Sequence, residues 1–489
     1  MNFPLVLHYL GVMVGAFSLT VLLLIPVAIL LGEWPMAVVA LESALIGMAA
    51  GAALYFGTRH ARGEVYRREG LAIVGLSWLL VPFVGALPFL LGGMVESTAD
   101  AYFESVSGIT TTGSSILVDI EAQPRTLLFW RAFLQFMGGL GIILFFVAVL
   151  PLLGVGGKTL YRQEITGPMP QILTPRIKDT AIQLIKLYLA LHVLLIVAYI
   201  LAGMGLYDAA THAMTCISTA GFSPRNESIG AYNEAIHWIT IVFMIIGGTS
   251  FILHLRVLRG GIGLYFRDTQ FRWYIGILLG AVVIQTIVLH ASGWREGLSD
   301  PDGFHLRDVF FATTSIMTTT GYSDADWDQW PTFNRVLLFL LMFAGGMSGS
   351  TAGSIKIVRW IVLIKTALHQ FVREADPRRV KLLKVDGKPI PLKVQSETFI
   401  FFFTYVAVFG VGCLLLTLLM PWQDFVSSLA AVSATLNIVG PGFGEVGPEL
   451  SFASQSSAAK WLLSLLMLIG RLELYAILVL FAPGFWRGR

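Results

Sequence analysis

An all-α polytopic membrane protein is the fold this sequence predicts, with four pseudo-repeated units of helix, re-entrant pore segment and helix around one pore, plus an N-terminal helical pair. Three observations lead there: composition, an alternation of charge between successive connections, and a landmark that recurs four times. The 489 residues are 56% hydrophobic and only 13% charged, with a mean hydropathy of +0.75, far more apolar than a water-soluble chain of this size. The lipid bilayer is therefore the expected solvent. A helical crossing takes about 20 residues, so about ten spans fit once loops are subtracted. The net charge of +3 is small, and no nucleic-acid partner is expected.

The first apolar run, Phe3–Leu31, has no basic residue before it and is too long for a signal-peptide core. It reads as a retained helix, the first of a pair filling residues 1–58. Basic residues then cluster in alternate connections. The groups are Arg59, Arg62, Arg67 and Arg68; Lys158, Arg162, Arg176 and Lys178; Arg256, Arg259, Arg267 and Arg272; Arg373, Arg378, Arg379, Lys381 and Lys384; and finally Arg487 and Arg489. By the positive-inside rule these segments and both termini are expected to be cytoplasmic. The intervening connections carry Glu96, Asp100, Asp119, Glu121, Asp208, Glu227, Asp324, Asp326, Asp328 and Glu445. These, with Asp300 and Asp302, are expected to face outward and attract cations.

Each outward connection holds a short stretch that ends in threonines or small residues and then a glycine. The endings are Thr111-Thr112-Gly113, Thr219-Ala220-Gly221, Thr319-Thr320-Gly321 and Ile438-Val439-Gly440. Thirteen residues before the first three glycines stand Asp100, Asp208 and Asp308, and the same offset in the fourth gives Ser427. Aspartate and serine are good N-caps, so each stretch reads as a half-helix entering from outside and stopping midway. Further along lies a second glycine landmark inside a hydrophobic run: Gly138-Gly139, Gly247-Gly248, Gly345-Gly346 and Gly470. The four units are expected at 70–157, 179–260, 271–372 and 394–486, with a gating loop at 345–354.

Backbone carbonyls replace an ion's hydration shell only where the chain runs extended with its oxygens turned to a common axis. Glycine makes that course accessible. Non-helical backbone at membrane depth is tolerated where it lines a water-filled cavity, and the half-helices would point their carboxyl ends at the membrane centre, which favours a cation. The twelve residues Thr111, Thr112, Gly113, Thr219, Ala220, Gly221, Thr319, Thr320, Gly321, Ile438, Val439 and Gly440 are therefore the candidate ion-binding residues, coordinating K+ through backbone carbonyls.

The run from Gly345 to Ser354 is rich in glycine, serine and threonine within an otherwise apolar helix. Helix propensity fails there, and a break is expected. It lacks the spacing of a phosphate-binding loop and has no soluble βαβ context. Arg471, inside the last apolar run, is costly unless paired or wetted. Its partner is either polar backbone of the glycine-rich run or an ion pair with Glu473 or Asp424. Arg131 and Gln135, one turn apart, read as polar helix contacts, and Lys356 as snorkelling toward the cytoplasm. Cys216 and Cys413 show no metal-ligand spacing. His212, His254 and Glu104 are too scattered to form an enzyme's converging set, so no enzymatic activity is expected.

The four glycine segments, the run from Gly345 to Lys356 and Gly470-Arg471-Leu472-Glu473 together resemble the superfamily of potassium transporters that includes Trk, Ktr and plant HKT proteins. The extra amino-terminal pair is similar to the TrkH-type branch. The resemblance implies potassium uptake across the bacterial inner membrane, a homodimer with one pore per subunit, and a cytoplasmic TrkA-type NAD/ATP-binding regulatory ring. It also implies a gate at Gly345, Gly346, Gly349, Gly353 and Arg471, with K+ as transported ion and no organic cofactor. In that family serine at the first filter position goes with sodium conduction, and glycine, as at Gly113, with potassium. The fourth segment departs from the pattern through Ile438, Val439 and Pro441. A sodium-permeable or proton- or sodium-coupled carrier is the alternative, since half-helices also build secondary transporters. The basic stretch from Arg373 to Lys393 either fixes topology against anionic lipid or docks the regulatory ring.

Overall fold

The computed structural model describes residues 1–61, 63–148, 177–294, 306–376 and 383–486. Arg62, Lys158, Arg162, Arg176, Asp300, Asp302, Arg378, Arg379, Lys381, Arg487 and Arg489 lie outside the described residues, as do the side chain of Lys178 and the expected end of the first unit at 157. Among the described residues, seven helices are long and apolar enough to cross a membrane, or up to nine if each of two sharply bent pairs is one span. With the interrupted helix of the third unit these account for the ten spans expected, three of them broken at depth. Glu234–Gly248 and Phe251–Gly260 meet at 98°, and Ser457–Arg471 and Tyr475–Phe481 at 116°. In the third unit the helix Thr332–Leu341 stops and resumes only at Ile357–Ala375. One break was expected from the sequence; the other two were not.

The N-terminal pair, Phe3–Val21 with Leu24–Leu31 and then Trp34–Gly57, packs through small residues. A Cβ on Gly51 would lie 2.7 Å from the Gly15 nitrogen, so these helices touch backbone to backbone, as small residues allow in lipid. Glu33 ties the pair to the rest. Its carboxylate accepts from the N–H groups of Arg125 and Thr126, both at 2.9 Å, supplying a cap to Arg125–Ala148 from another part of the chain.

Four short helices have identical lengths: Thr98–Ile109, Leu206–Ile217, Leu306–Met317 and Phe425–Leu436 are 12 residues each. At 1.5 Å per residue each reaches about 18 Å, roughly half a bilayer. The aspartate landmark is not their N-cap. Ser97 and Asp424 cap the first and fourth, each accepting an N–H bond of the first turn, and Gly205 precedes the second. Asp100, Asp208, Asp308 and Ser427 are the third residue of each helix. A carboxylate is favoured there by the helix dipole as well as at the cap, and so the spacing was right while the role was shifted by one turn.

The units interlock in a ring. Arg125–Ala148 packs on its own pore helix and on Leu206–Ile217 of the second unit. Glu234–Gly248 does the same toward Leu306–Met317, and Ser457–Arg471 reaches from the fourth unit to Thr98–Ile109 of the first, closing the circle. Glycines permit each of these helices to pack on its own pore helix: a Cβ on Gly138 or Gly470 would lie 2.0 Å from the carbonyl oxygen of Ile109 or Leu436, the last residues of the first and fourth pore helices.

Candidate ion pathway

All four pore helices end in the same turn. Thr111, Thr219, Thr319 and Ile438 lie in the left-handed region at φ 57°, 52°, 56° and 60°. The following N–H donates back into the helix, from Thr112 to Ser107, Ala220 to Thr215, Thr320 to Ser315 and Val439 to Ala434, each at 2.9 Å. This is the closing bond of a Schellman-type helix end. For a residue with a Cβ the left-handed region costs about 1–2 kcal/mol, most for a β-branched one, and it persists only where the surroundings over-determine it. Ile438 therefore keeps the backbone of the three threonines, although its side chain differs.

Beyond the turn, Gly113, Gly221, Gly321 and Gly440 have φ of 84°, 82°, 78° and 104°. A Cβ on Gly113 would lie 2.2 Å from Ala220 O, on Gly221 2.0 Å from Thr320 O, on Gly321 2.0 Å from Val439 O, and on Gly440 2.8 Å from Thr112 O. Each glycine faces the residue before the next glycine, and the fourth returns to the first. Four segments so related must surround a common axis, and all twelve candidate residues fall within them. On one side this ring floors a vestibule of about 530 Å³, whose lining includes all four glycines, Asn226, Glu445 and Glu449.

On the other side lies the irregular chain between Leu341 and Ile357. Gly345 and Gly349 have φ of 58° and 77°, and Gly353 approaches Asn437 O so closely that a Cβ would lie 2.7 Å away. Gly346 is packed against Gly248 O and Ala352. The chain bonds the second, third and fourth units directly. Thr351 Oγ1 donates to Ile217 O and Gly247 O at 3.0 and 3.2 Å, Gly353 N–H donates to Thr319 Oγ1 at 2.6 Å, and Ser354 Oγ reaches Asn437 Oδ1 at 3.1 Å. Arg471, only 3% exposed, donates from Nη1 to Thr351 O at 2.7 Å and from Nη2 to Gly138 O at 3.4 Å. The ion-pair alternative is excluded, because Glu473 pairs with Arg359 and Asp424 caps its pore helix. Lys356 does not snorkel. It is buried and donates to Ala352 O within the same irregular chain.

The outward acids are mostly engaged elsewhere. Asp100 pairs with Lys460 at 2.6 Å, Asp208 with Arg225 at 2.9 Å, and Asp328 with Arg335 at 2.8 Å. Glu445, together with Glu449, which the sequence reading passed over, remains at the mouth. Partial burial, and after it the nearby Asp326 and Glu227, hold the Glu449 carboxyl above its ordinary range.

Asp324 is buried at the junction of the second and third units, with His237 Nδ1 3.5 Å away. Burial pushes its carboxyl up to about 7; Asp308 acts in the same sense, and His237 and Arg307 oppose it. Unfolded, the group titrates near ~3.9. Its contribution to stability is thus complete below that pH and is lost as pH rises through about 7. The melting temperature in detergent is expected to fall between roughly pH 4 and 7, and Asp324→Asn to flatten that slope. An unchanged slope in the variant would refute the assignment.

The sequence reading gave Glu104, Arg131 and Gln135 no joint role, yet they form one buried network behind the ring. Arg131 Nε donates to Glu104 at 2.7 Å, and Gln135 bonds the second segment. The other side chains named in advance do local work: His212 bonds Ser223 Oγ at 3.0 Å, His254 bonds Ile246 O at 3.0 Å, and Cys216, buried, and Cys413, half-buried, are free thiols.

The fold and site define a class: a polytopic helical membrane protein whose four re-entrant segments enclose a single axis. A family model described as "TrkH: Cation transport protein" matches residues 38–487, and the chain belongs to this family, one of transporters and not of enzymes. It is 38% identical over 491 residues to the Trk system potassium uptake protein TrkH of Salmonella typhimurium, covering 100% of both chains. To the Trk system potassium uptake protein TrkG of Escherichia coli it is 35% identical, covering 99% of this chain and 98% of that one. The crystal structure of the potassium transporter TrkH from Vibrio parahaemolyticus superposes with a TM-score of 0.89 at 35% identity, with 100% of each chain covered.

Proposed function

We propose that this chain is a channel-like potassium uptake subunit of the inner membrane, passing K+ along the axis of the four glycine segments. The closed cycle of glycine-to-carbonyl approaches, Gly113 to Ala220, Gly221 to Thr320, Gly321 to Val439 and Gly440 to Thr112, is the observation that carries this reading. Pore-helix carboxyl ends favour a cation at the centre, and carbonyls facing the axis replace its water. Glu445 and Glu449 raise the local cation concentration at the mouth.

The chain from Gly345 to Ser354 serves as the gate. It bonds to all four units directly or through Arg471, and the guanidinium places a positive charge on the cation's route. The potassium uptake relatives support K+ as cargo. The family resemblance of the sequence implies a homodimer under a cytoplasmic NAD/ATP-binding ring, and the basic connections put both termini on that side. Purified protein in proteoliposomes is expected to pass K+ down its gradient without any proton gradient. Gly113→Ser should admit Na+ and lower the K+ to Na+ flux ratio at least several-fold. Flux that required a proton gradient would establish the coupled carrier instead.

A further inference from the structure

The ring is fourfold in its backbone but not in what stands behind it. Three residues before Gly138, Gly247, Gly345 and Gly470 stand Gln135, Met244, Met342 and Met467, and all four side chains are fully buried. Methionine fills space and bonds weakly. A buried glutamine must find partners for both ends of its amide. Gln135 finds them in the second segment: Nε2–H donates to Ala220 O at 2.7 Å, and Oε1 accepts from Phe222 N–H at 3.1 Å. These are the two residues flanking Gly221, so one side chain from the first unit clamps the peptides on either side of the second glycine. Satisfying both partners also fixes the orientation of the amide.

One turn away the clamp is braced. Arg131 Nη2 donates to Ser115 Oγ at 3.0 Å and Nη1 to Ser223 O at 3.4 Å, while its guanidinium lies 4.0 Å from the Phe222 ring centre. Glu104 holds the arginine and accepts from Ile116 N–H at 3.0 Å. Among the described residues, the counterparts of Ala220 O, namely Thr112 O, Thr320 O and Val439 O, accept no side-chain hydrogen bond.

We propose that Gln135 is a positioning residue that sets potassium over sodium selection at the junction of the first and second segments, an inference that rests on the four-segment reading above. Two effects act in the same direction. The bidentate clamp stops the Ala220 carbonyl from collapsing around a smaller ion. The donated N–H also uses one lone pair and weakens the field that the oxygen presents, and a weaker field favours the larger, less tightly hydrated ion.

The test uses the full chain in proteoliposomes, with K+ and Na+ fluxes measured for wild type, Q135M, Q135N and G113S. Q135M installs the residue of the other three units, so packing is kept and both bonds are lost. Its K+ to Na+ flux ratio is expected to fall on the order of fivefold to tenfold. The extra thermal stabilisation that K+ gives over Na+ should shrink with it. Q135N, one methylene too short to reach both partners, should fall between. If G113S lowers the ratio and Q135M does not, or if Q135M lowers both fluxes in proportion, the residue is structural and the proposal is overturned. If neither variant moves the ratio, the four-segment reading itself fails. Should Q135M not assemble, the ratio in Q135N decides by the same criteria.

Discussion

Gly221→Ala and Gly321→Ala are each expected to abolish potassium flux, by a hundredfold or more, while Gly440→Ala keeps a measurable fraction. The argument starts from distance. At Gly221 and Gly321 the added Cβ would lie 2.0 Å from a backbone oxygen, a separation that real Cβ atoms do not show, and no flexible side chain stands there to yield. Either the next segment moves or the glycine's own peptide rotates, and both take carbonyls away from the axis. The left-handed conformation adds about 1–2 kcal/mol of its own. At Gly440 the nearest oxygen is 2.8 Å away, so a shift of a few tenths of an ångström relieves part of the clash, although φ of 104° is still unfavourable to alanine. Flux per assembled protein, measured in proteoliposomes, checks the order. Equal flux in all three variants would refute an axis built from these backbones.

Arg471→Ala is expected to raise flux, on the order of tenfold or more, with the fold preserved. Arg471 is one of the ties between the irregular chain of the third unit and the rest of the ring, through Thr351 O and Gly138 O. Hydrogen bonds to a charged group contribute roughly 1.5–3 kcal/mol each, and about 1.4 kcal/mol is a factor of ten in an equilibrium. Losing the stronger of the two bonds is enough to shift a closed chain toward an open one by about that factor. Removing the charge also removes an electrostatic barrier to a cation on the axis. Deleting residues within 345–354 should act in the same direction. A purely structural arginine gives the opposite result, a loss of assembled protein with no gain in flux, and size-exclusion profiles alongside flux separate the two.

Much of this architecture was legible in the sequence because its strongest constraints are local. Lipid demands long apolar helices, half-helices need a start signal and a length, and a chain that turns left-handed beside another backbone needs glycine. Those requirements wrote the four landmarks ending at Gly113, Gly221, Gly321 and Gly440 at a common offset. The role of Asp100 and its counterparts was misplaced by a turn because aspartate is favoured both at a cap and at the third helical residue. Periodicity cannot separate those positions. The bends after Gly248 and Arg471 were missed because only two polar residues mark each, Thr249 and Ser250 in one and Arg471 and Glu473 in the other, within otherwise apolar runs, whereas the glycine-rich run at 345–354 announced its break.

The sequence by itself determined which segments cross the bilayer, which stop halfway, and, at the four glycine segments and the run 345–354, where backbone must depart from helix. Only the tertiary structure decided partners: Arg471 on Thr351 and Gly138 and not on Glu473, Lys356 turned back on Ala352, Gln135 on Ala220 and Phe222, and the closing approach of Gly440 to Thr112. The physical reason is that hydropathy, propensity and turn chemistry act over a few neighbouring residues. A buried charge or amide instead takes whichever acceptor the packing of distant segments brings within about 3 Å.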